Sequence, residues 1–266
     1  MFMGLGLATP RSLSNFLLAC IGAFFILFAT HYHNAYSDFR RGIDQGETGK
    51  AYTSASTILP RGLVSPREVI VIAVSYYLLG FLFYLWLAVE VSILCIIPAL
   101  LGITCGISYN TYGKYIGLGE PFLGISFGLA TVLAGYVTST GCIEISPLLV
   151  SFIPGLLWAL VYTMDQAQDI DTDVPRGIRN LASTLLAVPF PLSRYLEFGV
   201  FMVLLSHIFF ILVEFITPLT FTAVITIPVM FSAILTADGN RRLSAQLLLL
   251  SFGLYVTIID LCLLVA

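Results

Sequence analysis

The sequence predicts an all-α integral membrane protein, a bundle of eight transmembrane helices around a central cavity, and three observations predict it. The first is composition: of 266 residues 58% are hydrophobic and only 10% charged, with a mean hydropathy of +0.97, so lipid and not water must be the main solvent. The second is the grouping of the apolar residues into runs that approach the roughly 20 residues a helix needs to cross a bilayer. The third is their texture. The runs are continuous in Leu, Ile, Val and Phe, whereas the lipid-facing strands of a barrel alternate.

The eight runs fall near residues 13–33, 68–88, 91–107, 121–139, 147–164, 194–213, 217–236 and 243–265. Charge marks the connections between them. After the first run come Arg40, Arg41, Lys50, Arg61 and Arg67; Lys114 precedes the fourth; Arg176, Arg179 and Arg194 precede the sixth; Arg241 and Arg242 precede the last. If successive runs alternate direction, all of these lie on one face, which the positive-inside rule makes cytoplasmic. The opposite connections are short and carry Glu90, Glu144 and Glu214. Arg11, ahead of the first run, is the exception and is expected on the outer side. No linker rich in Pro, Ser or charge divides the chain, so residues 1–266 read as a single membrane domain.

That domain contains a faint repeat, with a first half of about 1–140 and a second of about 141–266. The first run ends in Asn34, Asp38 and Asp44 and continues to Pro60-Arg61-Gly62; the fifth ends in Asp165, Asp169 and Asp173 and continues to Pro175-Arg176-Gly177. Repeats of this kind commonly face one cavity. The five cysteines are scattered, with no short metal or redox spacing, and are expected to pack between helices. The first run lacks a strongly basic lead and a small-residue cleavage site, which argues against a cleavable signal peptide.

The acidic clusters carry the chemistry. Asn34 and Asp38 are four residues apart, as are Asp165, Asp169 and Asp173, so each set should project from one face of a helix. A carboxylate at the centre of a membrane helix costs about 2.5 to 3.5 kcal/mol on the insertion scale, the penalty persists in part toward the membrane edge, and like charges one turn apart repel. A divalent cation relieves both penalties. Oxygen donors without nearby Cys or His suit a hard ion, and Mg²⁺ takes one or two carboxylates together with water and phosphate. Lys50, Arg61, Lys114 and Arg179 are the basic residues placed to hold that phosphate. A lone Asp at a helix end is ordinarily a solvated cap. Two matched sets exceed that reading, whereas Asp171, off the ladder, fits it. His31 and His33 fit hydrogen-bonded structure better than ligation. Tyr109, Tyr112, Tyr115 and Tyr162 could present ring faces to a cation, or belong to the interfacial aromatic belt.

These motifs resemble those of the UbiA superfamily of intramembrane prenyltransferases, most closely its menaquinone-type branch. Asn34-Ala-Tyr-Ser-Asp38-Phe-Arg-Arg-Gly-Ile-Asp44 is similar to the first motif. Asp165-Gln-Ala-Gln-Asp169-Ile-Asp-Thr-Asp173 is similar to the second, and Lys114-Tyr-Ile-Gly-Leu-Gly-Glu120 to the middle loop. The resemblance implies a helical bundle open laterally to lipid, with Mg²⁺ bridging both aspartate motifs and the diphosphate of a polyprenyl donor. Asp38, Asp44, Asp169 and Asp173 would be metal ligands with Asn34 and Asp165 beside them, while Lys50, Arg61, Lys114 and Arg179 would hold phosphate. Tyr109, Tyr112 and Tyr162 would face the allylic cation, which an aromatic quinone precursor attacks. The partners implied are a polyprenyl diphosphate, an aromatic acceptor and the bilayer, with no nucleic acid.

The chain departs from that family in three ways. Members usually span the membrane nine times, and here one apolar run, not two, precedes the first motif; the usual first helix, a wall of the acceptor pocket, is expected to be absent. Asp165 stands where Asn is common, and Glu120 where Asp is common. The main rival on the same scaffold is a terpene cyclase that needs no acceptor. A cation transporter would place its carboxylates nearer mid-membrane, and a CDP-alcohol phosphotransferase would show Asp-Gly and Ala-Arg patterns that this sequence lacks.

Overall fold

The computed structural model describes residues 1–43, 58–188 and 190–266, and every regular element among them is helical. A short helix α1 (Phe2–Leu7) precedes the long helix α2 (Leu13–Arg40). There follow α3 (Pro66–Glu90), α4 (Ile93–Thr111), α5 (Gly119–Thr140) and α6 (Ile145–Gln168). After the short helix α7 (Leu181–Ala187) come α8 (Leu192–Leu212), α9 (Pro218–Thr236) and α10 (Arg241–Val265). Eight of the described helices are long and apolar enough to cross a membrane. Each lies on one of the predicted runs, with ends that differ from it by up to seven residues.

Local chemistry sets several boundaries. Ser65 and Glu68 form a reciprocal capping box at α3, with Pro66 at the first helical position, where its missing N–H costs nothing. Asn180 caps α7 and Asn240 caps α10 through side-chain oxygens that accept from Ser183 and Leu243. Gly141, with φ of 73°, ends α5 in the left-handed conformation that suits glycine.

The helices pack around two buried clusters. One is built by α2, α3 and the second half of α5, including Ala19, Ala29, Tyr84 and Leu133. The other is built by α6, α8, α9 and α10, including Leu157, Leu196, Met230 and Tyr255. The outer surface carries large apolar side chains such as Trp86, Phe198 and Leu212, a belt that only a bilayer accommodates. The protein is therefore an integral, multi-pass membrane protein. Because lipid is as apolar as leucine, helix association there relies on close fit and interhelical hydrogen bonds. One close crossing is α5 on α6, where a Cβ added at Gly128 would stand 2.6 Å from the Gly155 Cα. Just there α5 contains a π-helical segment, Ile125–Ala130, an irregularity often found beside functional cavities. Buried His207 of α8 pairs with Thr220 of α9 at 2.9 Å and with the Tyr255 hydroxyl of α10, tying these three helices together.

Interhelical hydrogen bonds identify which helix ends lie together. Arg41 at the end of α2 donates to the Thr111 carbonyl at the end of α4, at 2.7 Å. Arg241 at the start of α10 donates to the Ala167 carbonyl of α6, at 3.2 Å. Tyr109, near the end of α4, meets the hydroxyl of Tyr162 on α6 at 3.0 Å, which places the Asp38 and Asp165 ends of the bundle at one face. At the opposite face Arg11 donates to the Leu263 and Leu264 carbonyls, both at 2.7 Å. The basic residue that broke the charge pattern is thus a cap, satisfying the open carbonyls and the negative dipole end of α10.

Candidate active site

Asn34 and Asp38 occupy the last turns of α2, where Asn34 Nδ2 donates to Asp38 Oδ2 at 3.1 Å. Asp38 is buried, with 9% of its surface exposed. A buried carboxylate requires compensation, and the loop after α4 supplies it. Lys114 Nζ lies 2.5 Å from Asp38 Oδ1 and 2.6 Å from Asn34 Oδ1, while the Tyr115 hydroxyl donates to Asp38 Oδ1 at 2.8 Å. Burial and the Asp38 carboxylate push the Tyr115 phenol well above its ordinary range, so it remains a donor. Arg41 covers the Tyr115 ring at 3.9 Å. The sequence pointed to Lys114 for phosphate; the structure gives it a carboxylate and an amide as partners. Tyr115 as a ligand of Asp38 was not legible, although its place beside Lys114 was the available signal.

The second segment differs in shape. The α6 helix ends at Gln168, Asp169 turns out of it, and a separate turn spans Ile170–Asp173. The expected single ladder through Asp165, Asp169 and Asp173 is therefore broken at its middle rung. The Asp173 N–H still donates to the Asp169 carbonyl at 2.8 Å, which keeps those two residues one turn apart. Asp165 and Asp169 are exposed, and Gln168 Nε2 donates to Asp165 Oδ1 at 3.2 Å. Asp44 and Lys50, like the Arg176 side chain, lie outside the described residues. Arg61 and Arg179 are exposed, and the Arg179 carbonyl comes within 3.8 Å of a Cβ built at Gly117, so its segment abuts the Lys114 loop.

Of the tyrosines, Tyr109 and Tyr162 form a pair. Their hydroxyls are 3.0 Å apart and their rings meet edge-on at 5.9 Å. Lys114 Nζ stands 5.9 Å from the Tyr109 ring. Tyr112 is set apart from this pair, 45% exposed and edge-on to Phe122. His33 packs edge-on against Tyr77. Glu120 is buried and accepts from Thr163 at 3.3 Å, a hydroxyl also shared with Tyr195. Tyr195 was not legible, since its partner lies on another helix.

Two cavities meet at the tyrosine pair. One of about 90 Å³ lies between α2, α4 and α5, lined almost wholly by apolar residues such as Ile26, Phe127 and Tyr84, and Tyr109 borders it. The other, about 410 Å³, lies between α5, α6 and α10, and Tyr162 and Asp165 border it. Leu123 lines both. A further groove of about 690 Å³ runs along α5 and α6 from Glu120 to Phe152 and Phe210.

Among the described residues no three carboxylate, imidazole or thiol groups converge into a complete metal cage. The donors of both segments are oxygens, which fits a hard ion whose shell is completed by water and phosphate.

Residues 1–258 match the model of the UbiA prenyltransferase family. The chain is 27% identical over 190 residues to the 1,4-dihydroxy-2-naphthoate octaprenyltransferase of Bacillus subtilis (strain 168), a match covering 67% of this chain and 60% of that protein. It thus spans about three fifths of the length of that curated relative. The apo structure of a UbiA homolog from Aeropyrum pernix K1 superimposes with a TM-score of 0.73 at 19% identity, covering 98% of this chain and 94% of the other. A UbiA homolog from Archaeoglobus fulgidus bound to DMAPP and Mg²⁺ superimposes with a TM-score of 0.57 at 15% identity, covering 97% and 92%.

Proposed function

The chain belongs to the UbiA prenyltransferase family, and from that premise we propose that it transfers a polyprenyl group from an allylic diphosphate to an aromatic acceptor, a quinone precursor of the dihydroxynaphthoate or hydroxybenzoate kind. The observation that carries this reading is the Asn34–Asp38–Lys114–Tyr115 cluster, with Asp38 and Lys114 buried, at the same end of the bundle as the second acidic segment. The naphthoate relative favours the menaquinone-type branch.

In this reading Asp38 and Asn34 on one side, with Asp165, Asp169 and Asp173 on the other, hold Mg²⁺, as do Asp44 and the diphosphate itself. When bound, Mg²⁺ supplies charge neutralisation for the departing diphosphate. Lys114, Lys50, Arg61 and Arg179 hold diphosphate oxygens. The small apolar cavity beside Tyr109 takes the first part of the prenyl tail. The Tyr109 and Tyr162 rings line the path of the allylic cation and stabilise it through their negative faces. The end of the bundle carrying the site is cytoplasmic, by the excess of Lys and Arg in its connections.

Purified protein supplied with a polyprenyl diphosphate, Mg²⁺ and a panel of hydroxylated aromatic acids should yield prenylated acceptor by mass spectrometry, with diphosphate release dependent on both. A hydrocarbon or terpene alcohol formed without acceptor would replace this reading with a terpene cyclase. Metal flux across vesicles without diphosphate turnover would replace it with a transporter.

A further inference from the structure

Resting on the prenyltransferase reading, we infer that Glu120 is a positioning residue for the donor's diphosphate. It sets Arg179 against the loop that carries Lys114 and does not itself touch the reacting atoms. Glu120 stands in the first turn of α5 and only 6% of its surface is exposed. It lines neither of the two cavities that meet at the tyrosine pair. It borders the outer groove along α5 and α6 instead, as does Leu181. A residue so placed acts on the site through its neighbours.

Those neighbours come from three other helices. Thr163 of α6 donates to Glu120 Oε1 at 3.3 Å, and the Tyr195 hydroxyl of α8 lies 3.2 Å from the same Thr163 oxygen. The Leu181 N–H, at the start of α7, faces the Glu120 carboxylate. The residue before Glu120 is equally close-fitted: a Cβ built at Gly119 would stand 2.7 Å from the Tyr162 ring. Gly119-Glu120 therefore seats on Tyr162-Thr163, which fixes the start of α5 against α6. A carboxylate under protein is costly unless it is hydrogen-bonded, and its two oxygens can serve α6 and α7 together.

The gain is the placement of Arg179. Ile178 is 7% exposed and Asn180 2%, while Arg179 between them is exposed. Asn180 Nδ2 donates to Gln166 Oε1 of α6 at 3.4 Å, and Asn180 Oδ1 accepts from the Ser183 N–H at 2.7 Å. The Arg179 carbonyl meets the loop after Lys114, within 3.8 Å of a Cβ built at Gly117. The Arg179 side chain thus leaves a backbone anchored on both sides, and Glu120 joins that backbone to the helix that follows Lys114. A guanidinium grips phosphate through a planar fork, so its grip depends on a fixed approach.

Glu120→Leu keeps the bulk and removes the acceptor. It should raise the donor KM, and the inhibition constant of inorganic diphosphate, about tenfold or more, with the acceptor KM within about twofold. Glu120→Gln, whose amide oxygen still accepts from Thr163, should restore most of that affinity. In an Arg179→Gln background, Glu120→Leu should add less than about twofold to the donor KM, because the group it positions is gone. A residue that only supported the fold would multiply its effect with that of Arg179→Gln. If Glu120→Leu fails to fold, Thr163→Val reads the same contact, with a rise in donor KM of about threefold or more that disappears in the Arg179→Gln background. An unchanged donor KM in whichever of these variants folds, or effects that multiply with those of Arg179→Gln, overturns the positioning role while wild-type transfer continues. Wild-type protein that never releases diphosphate from a polyprenyl diphosphate overturns the transferase reading, and this role with it.

Discussion

The two acidic segments look alike in sequence and are built differently. The first sits on an unbroken helix, with Asp38 buried and joined to Lys114, Asn34 and Tyr115. The second lies where α6 ends, with Asp165 and Asp169 exposed and Asp169 turned out at the helix terminus. A carboxylate held under protein must carry its counter-charge with it, whereas one at an exposed edge is also screened by solvent. The first acidic segment is thus held under protein beside Lys114, and the second lies at the protein surface.

Removing the carboxylates singly should give the largest effects. Asp38→Ala and Asp169→Ala should each lower diphosphate release by about a thousandfold or more, the scale on which lost transition-state charge stabilisation acts. Near-normal turnover in either would remove that segment from the site. Stability should separate them, since Asp38→Ala removes a carboxylate buried against Lys114 and should lower the melting temperature in detergent more than Asp169→Ala, whose side chain is exposed.

Lys114→Met tests the internal counter-charge. It leaves Asp38 buried without its cation, a loss of about 3 to 5 kcal/mol, and should also raise the donor KM. The double variant Asp38→Asn with Lys114→Met should be more stable than the sum of the single losses, because both charges leave together. Strict additivity would mean that the pair does not couple.

A smaller effect is expected at Tyr115. Replacing it by Phe removes one hydrogen bond to Asp38 and should cost about 1 kcal/mol in unfolding, with Asp38 still paired to Lys114. The smallest belongs to Asp171, exposed in the turn beside the second set. Asp171→Asn should leave stability within about 0.5 kcal/mol and diphosphate release near wild type. A large loss of turnover would place Asp171 among the residues that meet the ligand.

The eight spans were legible because a membrane helix announces itself locally, as a continuous apolar run closed by charge, Gly, Pro or a capping residue. The Asn34–Asp38 pair was legible for the same reason, since four-residue spacing is a property of one helix. What escaped was wherever the helix stopped or another helix intervened. Asp169 left the helical face because α6 ends at Gln168. Tyr112 and Tyr162 read alike, yet one is turned outward and the other meets Tyr109, 53 residues away.

By itself, then, the sequence determined the class of fold, the eight apolar runs on which the long described helices lie, and the spacing of the two acidic segments. Only the tertiary structure decided the partners: Lys114 with Asp38 across 76 residues, Arg11 with the last turn of α10 across 252, and the two cavities that meet at Tyr109 and Tyr162. The physical reason is that in lipid all faces of a helix are apolar. Hydropathy therefore states which segments are buried in the membrane, while close packing at small residues and interhelical hydrogen bonds determine which segment meets which.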